Sequence, residues 1–263
     1  MVNVYKAAPD IDVLTTSIPI AHLGCVPINA FVLHGPEPVL VDTGVGSQRE
    51  AFMAALRSVI DPAALRWIWL THPDPDHTGS LAQLLADNPR VRVVTTFLGV
   101  GIMGLTTNPL PMDRVYLVNP GEQLALPDRR LTAFKPPVFD NPSTTGLFDD
   151  RSRVLFSSDC FGAILPAPPQ DAAELSDQEL RDGQVLWTSI DAPWLHKVDT
   201  GMLARELDAV RRLEPAMILS SHLPVAPGRM TNRLLSAIGD VPAAPPFIGP
   251  NQAALEQMMA SAS

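Results

Sequence analysis

The chain has 263 residues, of which 46% are hydrophobic and 18% charged, and its formal net charge is −9 at neutral pH. This composition supports a buried core and is not that of a disordered chain. Because nucleic acids are bound through clustered Lys and Arg, the acidic balance and the scattered basic residues argue against a nucleic-acid partner.

The two cysteines and the absence of long apolar runs narrow the class of protein further. Cys25 and Cys160 lie far apart and form no CxxC pair, so neither a disulfide framework nor a thiolate zinc site is indicated. Residues 1–13 lack the basic-then-apolar order of a signal peptide, and no apolar run approaches the roughly 20 residues of a membrane span. We therefore expect a cytoplasmic protein with no membrane partner.

The first third of the chain reads as strands and tight turns. Residues 12–20 and 28–35 have strand-like composition, and residues 35–46 read as a turn, a short strand and a Gly-rich exit. The next segment, 47–60, predicts a helix with Ser47 as its N-cap and a reciprocal capping-box residue at position 50.

The rest of the chain alternates between the two kinds of element. A short buried strand is predicted at residues 66–70, and a second helix begins within residues 77–87. Later strands are predicted at residues 91–96, 114–119, 130–136, 145–149, 153–159 and 216–222, and a later helix at 201–215. Helices interleaved with strands and no convincing linker predict one α/β domain over residues 1–263.

The most informative stretch is "HPDPDH", directly after the strand predicted at 66–70. It places His72, Asp74, Asp76 and His77 in a loop leaving the C-terminal end of a strand, where α/β sheets place their chemistry. Alternate residues of an extended turn face opposite sides, so the four groups suit two metal ions about 3.5–4 Å apart. The alternative is a loop in which Pro-Asp pairs simply make turns.

Two more strand ends carry residues of ligand type. The segment "LFSSDCFG" ends a predicted strand in Asp159, and "ILSSHLP" ends one in His222. Taken alone, Asp159 reads equally as a turn or helix cap, and His222 as a satisfied core histidine. Three such strand ends in one chain favour a metal site.

The order of "VDTG" (41–44), "THPDPDHTGS", Asp159 and His222 resembles the metallo-β-lactamase fold superfamily over about residues 10 to 230. The resemblance implies an αββα sandwich with a dinuclear metal site at the edge between its two sheets. It also implies that Asp42 does not bind metal itself but holds the metal ligands in place.

Two departures refine the resemblance. Asp74 stands where most hydrolytic members have His and where flavodiiron and related oxygen-binding di-iron proteins have Glu. Residues 139–162 resemble the later segments of those di-iron proteins, but their loop His corresponds to Asp140, which is either a ligand or a solvated loop residue.

The resemblance implies two metal positions that share one carboxylate. Site one comprises His72, Asp74, Asp140 and Asp159, and site two comprises Asp76, His77, Asp159 and His222. Such oxygen-rich surroundings favour two iron ions, with manganese or zinc as alternatives.

Three functions are compatible with this ligand set. The favoured one is an oxidoreductase whose di-iron site binds or reduces O2 or NO, or uses O2 to oxidise a small-molecule substrate, with electrons from a separate donor protein. The alternatives are a hydrolase of esters, lactones or phosphodiesters with Asp76 as proton acceptor, and a non-catalytic metal or gas sensor.

The sequence indicates less about which residues would contact a substrate. In residues 184–199, His196 is a candidate catalytic residue of the pocket, while Trp187 and Trp194 either line the pocket or belong to the core. Residues 99–112 predict an apolar helix and loop that form a pocket wall or a homodimer contact.

Overall fold

The computed structural model describes residues 1–261 as two β-sheets with helices. The strands are β1 (Asn3–Ala8), β2 (Ile11–Ile20), β3 (Gly24–Leu33), β4 (Val39–Val41), β5 (Trp67–Trp69), β6 (Arg92–Thr95), β7 (Val115–Leu117), β8 (Gln123–Ala125), β9 (Arg130–Phe134), β10 (Gly146–Asp149), β11 (Val154–Phe156), β12 (Met217–Leu219) and β13 (Ala226–Pro227). The helices are α1 (Arg49–Val59), α2 (Leu81–Asp87), α3 (Phe97–Met103), α4 (Asp177–Asp191), α5 (Thr200–Leu213), α6 (Thr231–Asp240) and α7 (Gln252–Ser261).

The two sheets follow the chain in order. The first sheet runs β1-β2-β3-β4-β5-β6-β7 and the second runs β13-β12-β11-β10-β9-β8. Strands β4 to β7 are parallel to one another, as are β11 and β12, whereas the other neighbouring pairs are antiparallel. The parallel strands therefore bring their C-terminal ends to one edge of each sheet.

Alternation of side chains along the short strands creates the layers. In β5, Trp67 and Trp69 pack between the two sheets, whereas Ile68 points to the opposite face and packs with the helices. In β11, Phe156 faces the same inner core and Leu155 faces outward. Strands buried on both faces read as continuous apolar runs, which is why "WIW" and "VLF" carry no polar residue.

Helices cover both outer faces. Apolar residues of α1, α2 and α3 pack on the outer face of the first sheet, and those of α4, α5 and α6 pack on the outer face of the second. The αββα sandwich expected from the sequence is confirmed. None of the helices within residues 1–261 has the length and apolar character needed to cross a membrane.

Two local expectations are wrong. Ser47 does not cap α1, because residues 46–48 form a 3-10 turn and the helix begins only at Arg49, with Gln48 in the cap position and no side-chain cap bond. The strands predicted at 153–159 and 216–222 each end three residues early. In the first case Ser158 has φ of 54°, a left-handed conformation that cannot continue a strand.

The contact between the sheets can be tested at Phe156. Its ring is 1% exposed and meets Phe31 edge-on, with ring centroids 5.4 Å apart, so it joins β11 to β3 across the inner core. Truncating a buried Phe removes apolar contacts and leaves a cavity. We expect Phe156→Ala to lower the free energy of unfolding by about 3–5 kcal/mol, measured by denaturant titration.

Phe97→Ala is the matched control, because Phe97 is 72% exposed on α3 and its truncation should change stability by less than about 0.5 kcal/mol. Equal, small losses in the two variants would contradict the packing described here.

Candidate metal centre

Three candidate ligands occupy equivalent places at the ends of parallel strands. His72, Asp159 and His222 each lie three residues beyond the last residue of β5, β11 and β12. Because β5 belongs to the first sheet and the other two strands to the second, the three side chains meet at the edge between the sheets. A backbone hydrogen bond from Asn29 to Ser221 (2.9 Å) joins the sheets at this edge.

Asp159 lies between two groups of side chains. Its Oδ2 is 3.3 Å from Nε2 of His72, whereas its Oδ1 is 3.1 Å from Nε2 of His77 and 3.2 Å from Nε2 of His222. The two oxygens of one buried carboxylate therefore face different imidazoles. This is the geometry of a carboxylate that bridges two metal ions.

On one side of Asp159, His72 faces two further carboxylates. Its Nε2 is 3.9 Å from Oδ2 of Asp74 and 3.8 Å from Oδ1 of Asp140. Ligand atoms on opposite sides of one ion lie about 4.2 Å apart when each bond is about 2.1 Å, so these three groups fit around a single cation. The side chain of Asp140 is turned toward this position and is only 21% exposed.

On the other side, Asp76 completes a second group. Its Oδ2 is 3.6 Å from Nε2 of His77 and 3.4 Å from Nε2 of His222. The three groups have ligand atoms close enough to share one ion. The structure thus brings together all seven residues that the sequence assigned to metal, with Asp74 and Asp140 beside His72 and with Asp76 beside His77 and His222.

Asp42 fixes the orientation of His77 from behind. Its Oδ1 accepts a hydrogen bond from the backbone N–H of Thr71 (2.9 Å), and its Oδ2 accepts from the Thr71 hydroxyl (2.8 Å) and from Nδ1 of His77 (2.8 Å). In the neutral tautomer that donates from Nδ1, Nε2 offers its lone pair to the centre. The supporting role expected for Asp42 therefore has a direct geometric basis.

The other two imidazoles are held in the same tautomer. Nδ1 of His222 donates to the carbonyl of Pro27 (2.9 Å), which can only accept. Nδ1 of His72 lies 3.2 Å from the hydroxyl of Ser158, which in turn donates to Asp159. The Nε2 atoms of His72 and His77 are buried without a hydrogen-bond partner among residues 1–261. Buried polar atoms are rarely left unpaired, and a metal ion would satisfy both.

Hydrogen bonds hold the loop that carries Asp140 to the loop of Asp74 and to Trp194. The side-chain amide of Asn141 donates to Oδ1 of Asp74 (3.1 Å), so the two loops of this group hold one another. Trp194 donates from its indole to the carbonyl of Phe139 (2.8 Å), directly before Asp140. The sequence left the role of this Trp open; the structure packs it against the loop.

Trp187 contacts the centre from the helical layer. Its indole N–H donates to the backbone carbonyl of Asp159 (3.2 Å), and its ring centroid is 4.5 Å from that of His222. Gly162 allows this approach, because a Cβ there would lie 2.4 Å from the indole nitrogen. The ring therefore packs against one candidate ligand, His222, and is hydrogen-bonded to the backbone of another, Asp159.

The charges of the centre depend strongly on one another. Burial raises the pKa of Asp159, but the imidazoles of His72, His77 and His222 outweigh it and hold that pKa well below its usual range. Burial, followed by the charges of Asp159 and Asp74, raises the pKa of Asp140 to about 7. A cation placed among these carboxylates would offset their mutual repulsion.

Asp191 is a further carboxylate that sequence reasoning missed. It ends α4, and one of its oxygens lies within 4.8 Å of carboxylate oxygens of Asp140 and Asp159. Burial raises its pKa to about 8, with the charges of Asp159 and Asp140 adding to the effect. No motif or spacing marks this residue, because only the packing of α4 against the second sheet brings it to the centre.

His196 is not among the groups of ligand atoms found within residues 1–261. It lies in the 3-10 turn Pro193–Lys197, and both of its ring nitrogens are buried without a hydrogen-bond partner in the described part of the chain. Its catalytic role stays a prediction.

Comparisons with known proteins agree with this architecture. The flavo-diiron protein FprA2 of Clostridium acetobutylicum is 24% identical over 200 residues, which make up 75% of this chain and 48% of that protein. This chain thus spans about half the length of that relative.

Solved structures of similar proteins share the fold. Rubredoxin oxygen:oxidoreductase of Desulfovibrio gigas has a TM-score of 0.76 at 19% identity, covering 92% of this chain and 61% of that one. A fragment (1–254) of the putative diflavin flavoprotein A 5 of Nostoc sp. has a TM-score of 0.75 at 17% identity, covering 92% of this chain and 96% of the fragment.

A family model described as "ODP family beta lactamase" matches residues 26–222, a span that begins in β3 and ends at His222. It includes strands β4 to β12, most of β3 and all seven candidate ligands. The chain therefore belongs to the ODP family of β-lactamase-fold proteins, with similarity to flavodiiron proteins, as its motifs predicted.

Proposed function

We propose that this chain holds two iron ions and binds or reduces O2 or NO. The single observation that supports this most is the placement of Asp159, whose two oxygens face two separate sets of imidazole nitrogens. The similarity to proteins named flavo-diiron points to iron as the metal in this arrangement.

The donor set fits the proposed ions. Site one would use His72, Asp74, Asp140 and Asp159, and site two would use Asp76, His77, Asp159 and His222. Three imidazoles and four carboxylates supply borderline nitrogen and hard oxygen donors, which suit iron better than the nitrogen- and sulfur-rich sets of structural zinc sites. The unpaired Nε2 atoms of two of the histidines support the same conclusion.

The residues of the chain orient the ligands of the centre. A reduced iron pair held by these residues would supply electrons to a diatomic ligand. Asp42 holds His77 in the tautomer that a ligand needs, and Trp187 packs against His222. Asp74, Asp76 and Asp140 have the more exposed side chains, so they border the side from which small molecules would arrive.

We further propose that a separate protein donates the electrons and that the chain forms a single domain of this fold. The name of the Desulfovibrio gigas relative couples a protein reductant to oxygen, which supports an external donor. Both sheets contribute ligands to the same centre, which supports a single domain. The homodimer contact expected in residues 99–112 stays a prediction; Leu105 is 90% exposed there.

Iron content and gas reactivity test the proposal together. Protein from iron-supplemented medium should contain about two irons per chain, with a Mössbauer spectrum of a coupled di-ferric pair. After anaerobic reduction it should consume O2 or NO. Zinc or manganese with turnover of an ester or lactone panel would instead establish the hydrolase, and one metal without turnover would favour the sensor.

Asp159→Asn tests the bridge. Asn keeps the size of the side chain but has one neutral oxygen in place of two charged ones, so it cannot neutralise and join two ions. We expect iron to fall from about two per chain to one or none, and gas consumption to be lost. His34→Asn is the control, because His34 pairs with a buried Asp elsewhere, at 2.6 Å from Asp12. Two irons retained in Asp159→Asn would contradict the bridging role.

Asp42→Asn tests whether the hydrogen bond that Asp42 accepts from His77 contributes to metal binding. Asn tolerates the left-handed backbone at this position, where φ is 58°, but accepts a weaker hydrogen bond than a carboxylate. We expect metal affinity to fall about 10–100-fold, measured by competition with a chelator, while the fold is retained. Asp12→Asn is the matched control, because it weakens a buried Asp–His pair that contains no candidate ligand. Equal affinities in the two variants would show that Asp42 has no special role.

A further inference from the structure

Asp191 approaches the centre from the helical layer. It is the last residue of α4, and it has an oxygen within 4.8 Å of carboxylate oxygens of Asp140 and Asp159. Both neighbours belong to the proposed site one. Asp191 therefore adds a carboxylate from the helical layer beside two of the four ligands proposed for site one.

The surroundings of Asp191 disfavour a negative charge unless a cation is present. The residue is half-buried and ends a helix, where the backbone carbonyls make the local potential negative. No Lys, Arg or His nitrogen of residues 1–261 forms an ion pair with it, and it lies in one group with the carboxylates of Asp140 and Asp159. Asp191 therefore has no directly paired cation in the described part of the chain.

A second observation concerns the acidic cluster formed by Asp140, Asp159 and Asp191. Nε2 of His72 is buried without a hydrogen-bond partner, and it points into the cluster at 3.3 Å from Oδ2 of Asp159 and 3.8 Å from Oδ1 of Asp140. An imidazole nitrogen held with its lone pair toward carboxylates is the arrangement of a metal position. The cluster is therefore directed at a cation rather than at solvent.

The two sites have four proposed donors each, but these differ in kind. Site two has two imidazoles, His77 and His222, while site one has one, His72. Octahedral ions need up to six donors, so site one has room for a further oxygen.

From this geometry we propose that Asp191 is an additional metal ligand, completing site one on the side of Asp140 and Asp159. The inference rests on the proposed function. With Asp191 included, five carboxylates would surround the metal pair, and α4 would contribute one of the metal ligands.

The test is metal binding by the full chain, stripped of metal and titrated anaerobically with Fe(II), and in parallel with Co(II), whose visible absorption reports its coordination. The unaltered chain should bind about two ions. Asp191→Asn should bind one ion normally and the second at least about tenfold more weakly, with a changed Co(II) spectrum for that ion. Asp191→Glu, which keeps the carboxylate, should recover most of the affinity.

Asp182→Asn is the matched control on the same helix, because Asp182 is exposed and lies 3.6 Å from Arg181. It should bind both ions as the unaltered chain does. Thermal unfolding of each metal-free variant shows that the fold is kept; the increase of Tm on adding metal should shrink for Asp191→Asn alone.

The outcomes separate the two proposals. If the unaltered chain binds two ions and Asp191→Asn binds both with the same affinity and spectrum, Asp191 is not a ligand and the proposed function stands. If Asp191→Asn weakens both ions equally and Asp191→Glu does not recover them, the residue acts on the fold instead. If the unaltered chain binds no pair of ions, both proposals fail.

Discussion

The centre depends on the direction in which its imidazole rings present their lone pairs. Asp42 takes the Nδ1 hydrogen of His77, and the carbonyl of Pro27 takes that of His222. A serine hydroxyl lies in the same position behind the third ring. Each ring is thereby held with Nε2 toward Asp159, so the centre is organised before any metal arrives. Such preorganisation matters because a neutral imidazole binds metal only through an unprotonated nitrogen.

These hydrogen bonds in turn require unusual backbone at the strand ends. Asp42 and Ser158 both have positive φ, at 58° and 54°, which costs free energy for residues other than Gly. The carbonyl of Ser158 accepts from the backbone N–H of Ser221 (2.9 Å) and the hydroxyl of Ser220 (3.1 Å), so the conformation is held by the neighbouring strand end. The strained backbone at Ser158 is thus stabilised by the end of the neighbouring strand β12 in the same sheet.

The sequence predicted what is encoded locally. Apolar runs such as "WIWL" predict short buried strands, and "HPDPDH" carries four candidate ligands within one loop, so these followed from local pattern. The αββα layers and the candidacy of Asp140 followed from the family resemblance. Ser47 failed as a cap because the chain makes a 3-10 turn there before entering α1, a choice that local composition does not reveal. Asp191 and Asn141 were missed for a different reason: their neighbours in space, Asp140 and Asp74, are distant or offset in sequence, and only tertiary packing unites them.

The imidazoles of the centre and its loop carboxylates differ in how they are held. The side chains of His72, His77 and His222 are at most 1% exposed, and groups at the strand ends anchor them. The side chains of the loop carboxylates are more exposed, at 38% for Asp74, 28% for Asp76 and 21% for Asp140. Buried, sheet-anchored donors cost more to displace than donors on exposed loops, because the latter can be resolvated by water as the metal leaves. We therefore expect metal to exchange, and a small ligand to reach the centre, on the side of the loop carboxylates, while the buried histidines keep the geometry fixed.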